Sequence, residues 1–290
     1  MLLKKGSKGE QVKLLQEFLE ITADGDFGPK TEMAVKSWQY ANNLDADGIV
    51  GPLTWDEMGI ATTDISEKAI AGFHIDQQFL PKGEYKPGPT KKEYCFLHHT
   101  AGWHNTYNTI TAWGRDNRGA VATEFVLGGP SVKGNDDKYD GTLVQCMPEG
   151  AYGWHLGKNG SQHMHTHSVA IEVCNFGSIK DGKTWAGVVA AESQIVKLPK
   201  PFRGAQYWHR YSDKQIEVLK QWILYIADRD NIDVRKGLVE EIKAKGADGF
   251  EWNADAYYGK VKGLWTHTNT RKDKVDMFPQ PELIDMLLSL

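Results

Sequence analysis

Two segments far apart in the chain carry the residues best suited to metal chemistry. His98 and His99 end an apolar run that starts at Tyr94, and His267 ends a second short apolar run. Asp276 follows His267 after a polar loop. Two imidazoles and one carboxylate with a fourth position left for water form the donor set of a catalytic zinc site. Spacing alone does not separate such a site from unrelated polar residues.

A third feature is a carboxylate inside an apolar segment, Glu172 in residues 168–174. In an extended strand the side chains alternate, so Glu172 would share a face with Ala170 and Cys174. Burying a carboxylate costs free energy unless it is paired or takes part in chemistry. Glu172 is therefore either a salt-bridged residue at a sheet edge or a general base whose pKa is raised by its surroundings.

Two further groups of residues leave alternatives open. His163, His165 and His167 alternate and would share one face of a strand, so they are competing metal ligands by spacing, although a polar loop is the favoured interpretation. Several aromatic side chains fit a glycan groove and core packing equally well. These are Trp185, Tyr207, Trp208, Trp252 and Trp265.

The elements that must position the candidate residues are short strands and two clear helices. Five apolar segments bounded by glycine, proline or polar residues predict strands at Tyr94–Thr100, Thr123–Gly129, Thr142–Pro148, Ser168–Asn175 and Leu264–His267. Ser212 and Gln215 form a capping-box pattern that begins a helix, and a last helix is predicted over residues 281–290. We predict an α+β fold for residues 94–290, with a central mixed sheet flanked by helices.

The first 60 residues contain an internal repeat. The sequence DGDFGPKT at 24–31 recurs as DGIVGPLT at 47–54, and each copy is typical of a glycine turn that starts a helix with proline near its first position. Residues 1–60 are therefore predicted to form a small all-α domain of three helices. Prolines and glycines predict a linker and an irregular lead-in over residues 61–93.

Composition excludes several classes of protein. The 290 residues carry 34 Lys and Arg against 38 Asp and Glu, so there is no basic surface for nucleic acid. No apolar stretch reaches the ~18 residues that a membrane span needs, and the N-terminus lacks a signal-peptide pattern. We therefore expect synthesis in the cytoplasm, no membrane insertion and no nucleic-acid partner. Three cysteines are too few for a disulfide-stapled domain, so reduced thiols are expected.

Residues 1–60 resemble the peptidoglycan-binding domain of bacterial and phage cell-wall hydrolases. The match runs through most of the segment and includes LKKGSKG at 3–9, DGDFGPKT at 24–31 and DGIVGP at 47–52. The resemblance implies a three-helix domain that anchors the protein to the wall and carries no catalytic residue.

Residues 94 to about 280 resemble zinc-dependent N-acetylmuramoyl-L-alanine amidases, a family that includes the peptidoglycan recognition proteins. The matching segments occur in the family's order: FLHHTAG at 96–102, GTLVQ at 141–145, GWHLG at 153–157, SVAIE at 168–172 and the segment 267–279. The resemblance implies one Zn²⁺ bound by His98, His267 and Asp276. It also implies that Lys274 is catalytic, that Glu172 is the general base and that His155 lies in the substrate groove.

The chain departs from the family pattern in three places. Thr123 and Glu124 stand where other members carry a catalytic tyrosine and histidine, which favours the branch that uses Glu172. The sequence DMFP at 276–279 replaces the more common Asp-Pro-Gly, so the loop of the third ligand is expected to differ in shape. Residues 235–263 are longer and more polar than the usual connection and suggest a lid or an accessory surface.

The resemblance implies hydrolysis of the amide between N-acetylmuramic acid and L-alanine in bacterial peptidoglycan. Together with the missing signal pattern, it suggests a phage endolysin that acts on the wall after a separate membrane-permeabilising protein releases it. Two alternatives remain at this point. One is a non-catalytic peptidoglycan receptor, and the other is a zinc peptidase that cuts within the stem peptide.

Overall fold

The computed structural model describes residues 3–42, 44–58, 74–157 and 160–290, and the chain forms two compact units, residues 1–73 and 74–290. The first unit contains α1 (Glu10–Phe18), α2 (Pro29–Ala41) and α3 (Pro52–Glu57), in agreement with the three predicted helices. The part of the predicted linker at residues 61–73 lies outside the described residues.

The two repeated turns of the first unit are held by equivalent glutamines. Gln16 accepts a hydrogen bond from the backbone N–H of Gly25 at 2.8 Å, and Gln39 accepts one from Gly48 at 2.9 Å. Both glycines have positive φ, 74° and 76°, which favours glycine there. Each glutamine amide also donates to an aspartate, a backbone carbonyl and a threonine, namely Asp24, Asp26 and Thr31 for Gln16 and Asp47, Ile49 and Thr54 for Gln39.

The second unit is built on a six-stranded mixed sheet, which confirms the predicted fold class. Its strands are β1 (Ile75–Gln77), β2 (Tyr94–His99), β3 (Phe125–Leu127), β4 (Leu143–Gln145), β5 (Ser168–Val173) and β8 (Gly263–Thr266), in the order β1-β4-β3-β5-β2-β8. All neighbouring strands are parallel except β3 and β4. A separate antiparallel hairpin pairs β6 (Ile195–Phe202) with β7 (Ala205–His209). β1 lies within the segment predicted as an irregular lead-in.

Seven helices of the second unit fall within the described residues. They are α4 (Thr106–Trp113), α5 (Gln162–Thr166), α6 (Asp213–Asp230), α7 (Leu238–Lys245), α8 (Ala254–Tyr257), α9 (His267–Thr270) and α10 (Pro281–Leu288), with two 3₁₀ turns at Glu192–Gln194 and Gly246–Phe250. The capping box of Ser212 and Gln215 begins α6 as predicted. Trp222 of α6 packs against Phe125 of β3 with ring centroids 5.6 Å apart, so this helix covers the sheet.

Residues 235–263 pack into the unit, largely through α7. Leu238, Val239 and Ile242 are buried along one side of α7, as the helical spacing of apolar residues requires. The Asn269 amide donates to the carbonyls of Gly249 and Glu251, both at 2.8 Å, and ties the 3₁₀ turn to α9. Within the described ranges, no helix is both long and apolar enough to cross a bilayer.

Candidate metal centre and active-site cleft

Three adjacent parallel strands bring the candidate residues to one edge of the sheet. β2 pairs with β5 so that His98 lies beside Glu172, and it pairs with β8 so that Leu97 lies beside Thr266. His267 follows directly as the first residue of α9, so the prediction that it ends a strand is wrong by one residue. Parallel strands end at the same edge, which is why residues 98, 172 and 267 converge although the sequence separates them widely.

Three donor atoms meet at this edge. The Nδ1 atoms of His98 and His267 are 3.1 Å apart, and Asp276 Oδ2 lies 3.2 Å from the first and 3.0 Å from the second. All three side chains are buried, and they form the one group of three or more potential metal ligands found among the described residues. Atoms bound tetrahedrally to zinc at ~2.0–2.1 Å lie roughly 3.3 Å from one another, so this triangle fits a metal ion.

The electrostatics of the cluster suit a cation. Burial lowers the pKa of His98 to about 4, so this imidazole is neutral and able to ligate at neutral pH. Burial acts to raise the pKa of Asp276, but the neighbouring imidazoles, His267 foremost, hold it well below its usual range. Two imidazole nitrogens and one carboxylate are the donor types that zinc prefers.

Neighbouring groups hold the three donors in place. The Nε2 atom of His98 lies 2.9 Å from His155 Nδ1, and the other nitrogen of His155 lies 2.6 Å from Ser168 Oγ. A hydrogen-bond partner on the far nitrogen fixes the orientation of a ligating imidazole. Beyond Asp276, Phe278 stacks on Tyr211 and Trp208 at centroid distances of 4.5 and 4.6 Å. This stack fixes the loop in which the chain departs from Asp-Pro-Gly.

A cleft of about 430 Å³ opens beside the cluster, and Glu172 and Lys274 line it together with His155, His267 and Asp276. The Oε2 atom of Glu172 is shielded from solvent and has no hydrogen-bond partner among the described residues. Burial first, and then the charge of Asp276, raise the pKa of Glu172 well above its usual value. The alternative of a salt-bridged edge residue is wrong, because β5 lies between β3 and β2 and no described ion pair involves Glu172.

Family models match two parts of the chain. Residues 8–58 match a putative peptidoglycan-binding domain, and residues 88–248, more than half of the chain, match N-acetylmuramoyl-L-alanine amidase. The chain belongs to the N-acetylmuramoyl-L-alanine amidase family. The part of the chain that matches the amidase family model, residues 88–248, contains His98, His155 and Glu172 but ends before His267 and Asp276. The proximity of the last two residues to His98 is therefore shown by the geometry alone.

Individual relatives match shorter segments. The chain is 35% identical over 94 residues to the N-acetylmuramoyl-L-alanine amidase CwlL of Bacillus licheniformis, which is 29% of this chain and 26% of the relative. It is 41% identical over 64 residues to the zinc D-Ala-D-Ala carboxypeptidase of Streptomyces albus G, a match that covers 19% of this chain and 25% of the relative. The solved endolysin LysCS of Clostridium intestinale is 15% identical with a TM-score of 0.40, covering 75% of this chain and 96% of that one. The chain spans about half or less of the curated relatives' lengths.

The three histidines at 163, 165 and 167 lie outside the metal cluster of the second unit. Residues 162–166 form α5, so the extended strand that would place His163, His165 and His167 on one face is wrong. His163 pairs with Glu93 at 2.9 Å and stacks on His167, whereas His165 Nε2 lies 3.1 Å from the carbonyl of Gly157. These three histidines therefore serve local packing and hydrogen bonding.

Sequence reasoning missed several residues around the site. His99 does not join the metal cluster, and its Nδ1 atom lies 2.8 Å from the Tyr211 hydroxyl. Arg118 lines the cleft but belongs to none of the matching family segments. Ser168 contacts His155 and opens the matching segment SVAIE, although it was not singled out as a site residue. The one available signal is the position of Ser168 at the start of β5, the strand that carries Glu172.

Proposed function

We propose that the chain cleaves the amide between N-acetylmuramic acid and L-alanine in bacterial peptidoglycan and that it uses one Zn²⁺. The observation that carries the proposal is the convergence of three donor atoms beside an unpartnered carboxylate in one cleft, within a chain of the amidase family. His98, His267 and Asp276 would hold the ion. When bound, zinc supplies Lewis acidity, which lowers the pKa of a ligated water and polarises a carbonyl.

Glu172 is the proposed general base. Its register position beside His98 places it on the same face as a metal ligand, and it lines the cleft where the amide would enter. In this role the carboxylate takes a proton from the attacking water and returns it to the departing amine of L-alanine. The free Oε2 atom supports the role, because the carboxylate is not committed to a structural partner.

Lys274 is proposed to stabilise the negative charge that develops on the carbonyl oxygen. Its side chain is half-buried, lines the cleft and has no ion-pair partner among the described residues. A single donor aimed at a developing oxyanion commonly contributes ~10²–10³ in rate. His155 lines the same cleft, and we propose that it orients His98 in addition to contacting substrate.

The first unit is proposed to hold the enzyme on its polymeric substrate. The match to a peptidoglycan-binding domain supports this role, because a second attachment raises the effective concentration of the catalytic unit at the wall. The origin as a phage endolysin and the need for a membrane-permeabilising partner stay predictions from the sequence.

The test is mass spectrometry of the products released from purified sacculi, with and without a zinc chelator. The proposal predicts free stem peptides that begin with L-alanine, peptide-free glycan and loss of both products with the chelator. Adding zinc back should restore them. Intact glycopeptides would instead indicate a receptor, and cuts inside the peptide would indicate a peptidase.

A further inference from the structure

Trp185 differs from the other tryptophans that fit either a groove or the core. Trp208 and Trp265 are buried, whereas Trp185 is 73% exposed. No other large apolar side chain among the described residues of this unit is as exposed. Exposing an indole of this size forgoes a large hydrophobic gain, so an exposed ring in a fixed position calls for an explanation.

The ring is fixed to the rim of the cleft. The indole Nε1 donates a hydrogen bond to the carbonyl of Ala101 at 2.8 Å, and Ala101 lines the cleft directly after His98, His99 and Thr100. Because the one polar atom of the side chain is already bonded, the part of Trp185 that faces solvent is the apolar ring surface.

Contacts within the loop hold the turn that carries Trp185. Thr184 is buried, and its backbone and hydroxyl bond with Val188 at 2.9 and 3.2 Å across a tight turn. Ile179 and Ala190 are buried on either side of the turn. The loop is thus anchored at both ends and presents the indole outward.

We propose that Trp185 is a stacking platform for a sugar ring of the glycan strand, next to the N-acetylmuramic acid whose amide is cleaved. The inference rests on the proposed function, because that reaction requires one sugar to lie at the cleft and its neighbours to continue along the rim. The C–H face of a pyranose is apolar, so it can pack on the apolar face of an aromatic side chain. Exposed charged residues at 180, 181 and 183 precede the ring closely in the chain and disfavour its insertion into a bilayer.

The experiment compares two soluble substrates with the full-length protein, an N-acetylmuramoyl peptide with no second sugar and a peptide-substituted glycan of four or more disaccharides. Trp185→Ala should raise KM for the long glycan about tenfold, leave its kcat unchanged and leave both constants for the short substrate unchanged. Trp185→Phe retains a ring without the indole donor and should stay close to wild type. Tyr258→Ala removes an aromatic ring that is 65% exposed and does not line the cleft, so it serves as the matched control.

Three outcomes would overturn the platform. An equal loss on both substrates would mean that Trp185 contacts the peptide or positions residues 100–102. A defect of Trp185→Phe as large as that of Trp185→Ala would assign the effect to the bond with Ala101. No change with either substrate would leave no role for the ring. Failure of the wild-type protein to release peptides beginning with L-alanine would instead refute the proposed function itself.

Discussion

The turns of the first unit and the cleft of the second both bury polar side chains. The polar atoms of the turn glutamines have hydrogen-bond partners, whereas some polar atoms in the cleft have none in the described part of the chain. Gln16 and Gln39 each engage both the oxygen and the nitrogen of their amides. In the cleft, Glu172 Oε2 and His267 Nε2 are buried without a partner among the described residues. A buried polar group without a partner costs about 1–3 kcal/mol, so the cleft gives up stability that the turns retain. Between these two places, the difference distinguishes glutamines that build a turn from residues that are proposed to act in chemistry.

The largest effect is expected from removing a proposed metal ligand. His267→Ala should abolish zinc binding and lower amidase turnover by about 10³-fold or more, because the remaining pair of donors cannot hold the ion. Zinc content of the purified variant and release of L-alanine peptides measure the two effects. The matched control is His163→Ala, which removes an exposed histidine from α5 and should retain zinc and activity. Normal zinc content in His267→Ala would place the metal elsewhere.

The two carboxylates Glu172 and Glu124 give the sharpest contrast within one unit. Glu172→Gln should lower kcat by about 10²–10³-fold without loss of stability, because an isosteric amide removes the base and a buried, unpartnered charge. Glu124 instead bonds Arg229 at 2.7 Å and Gln145 at 3.0 Å. Glu124→Gln should cost about 3 kcal/mol of unfolding free energy, because Arg229 loses a buried partner.

Denaturant unfolding and steady-state kinetics on both variants separate these effects. Zinc content must stay at the wild-type level in Glu172→Gln for its loss of turnover to report on the base. Near-normal turnover in that variant would remove Glu172 from the mechanism, and an unchanged stability in Glu124→Gln would show that the buried ion pair contributes little.

The strands that position the site were predictable because their sequence pattern is local. Apolar runs bounded by turn residues located β2, β5 and β8, and the parallel arrangement then accounts for the meeting of His98 with His267. The sequence did not predict that Glu124 would have an ion-pair partner while Glu172 Oε2 would have none among the described residues. Arg229 is 105 residues away from Glu124, and no local pattern reveals a contact made by tertiary packing. Prolines at 199 and 201 similarly hid β6, because proline usually disfavours a strand.

Lys92 is an intermediate case, a buried cation that has hydrogen-bond acceptors but no contacting carboxylate among the described residues. Its Nζ donates to the carbonyl of Ala151 at 2.7 Å and to Thr90 Oγ1 at 2.9 Å. Burial lowers the pKa of Lys92 from 10.5 to about 8. The unfolded chain therefore binds more protons than the folded protein between these pH values, and the contribution of Lys92 to stability should rise as pH increases from 8 to 10.5.

The comparison of wild type with Lys92→Met isolates this contribution. Below pH 8 the penalty for burying the charge is fully present, and the wild type should gain up to about 3 kcal/mol relative to the variant by pH 10.5. Denaturant unfolding at a series of pH values measures the difference. A difference that stays constant with pH would mean that Lys92 keeps its ordinary pKa in the folded protein.

The repeated turns supply the smallest predicted effect and the converse test of the comparison. Gln39→Ala should lower the unfolding free energy of the first unit by about 2 kcal/mol, because it leaves the buried N–H of Gly48 without its acceptor and removes the bond to Thr54. Cleavage of a soluble muropeptide should be unchanged, since no catalytic residue is proposed in this unit. Hydrogen exchange at the amide of Gly48 reports the local loss directly, with Tyr40→Ala, an 80% exposed position on the same helix, as the control. Exchange as slow as in the wild type would mean that the glutamine is as expendable as the exposed tyrosine, and complete hydrogen bonding would then no longer mark the residues that build structure.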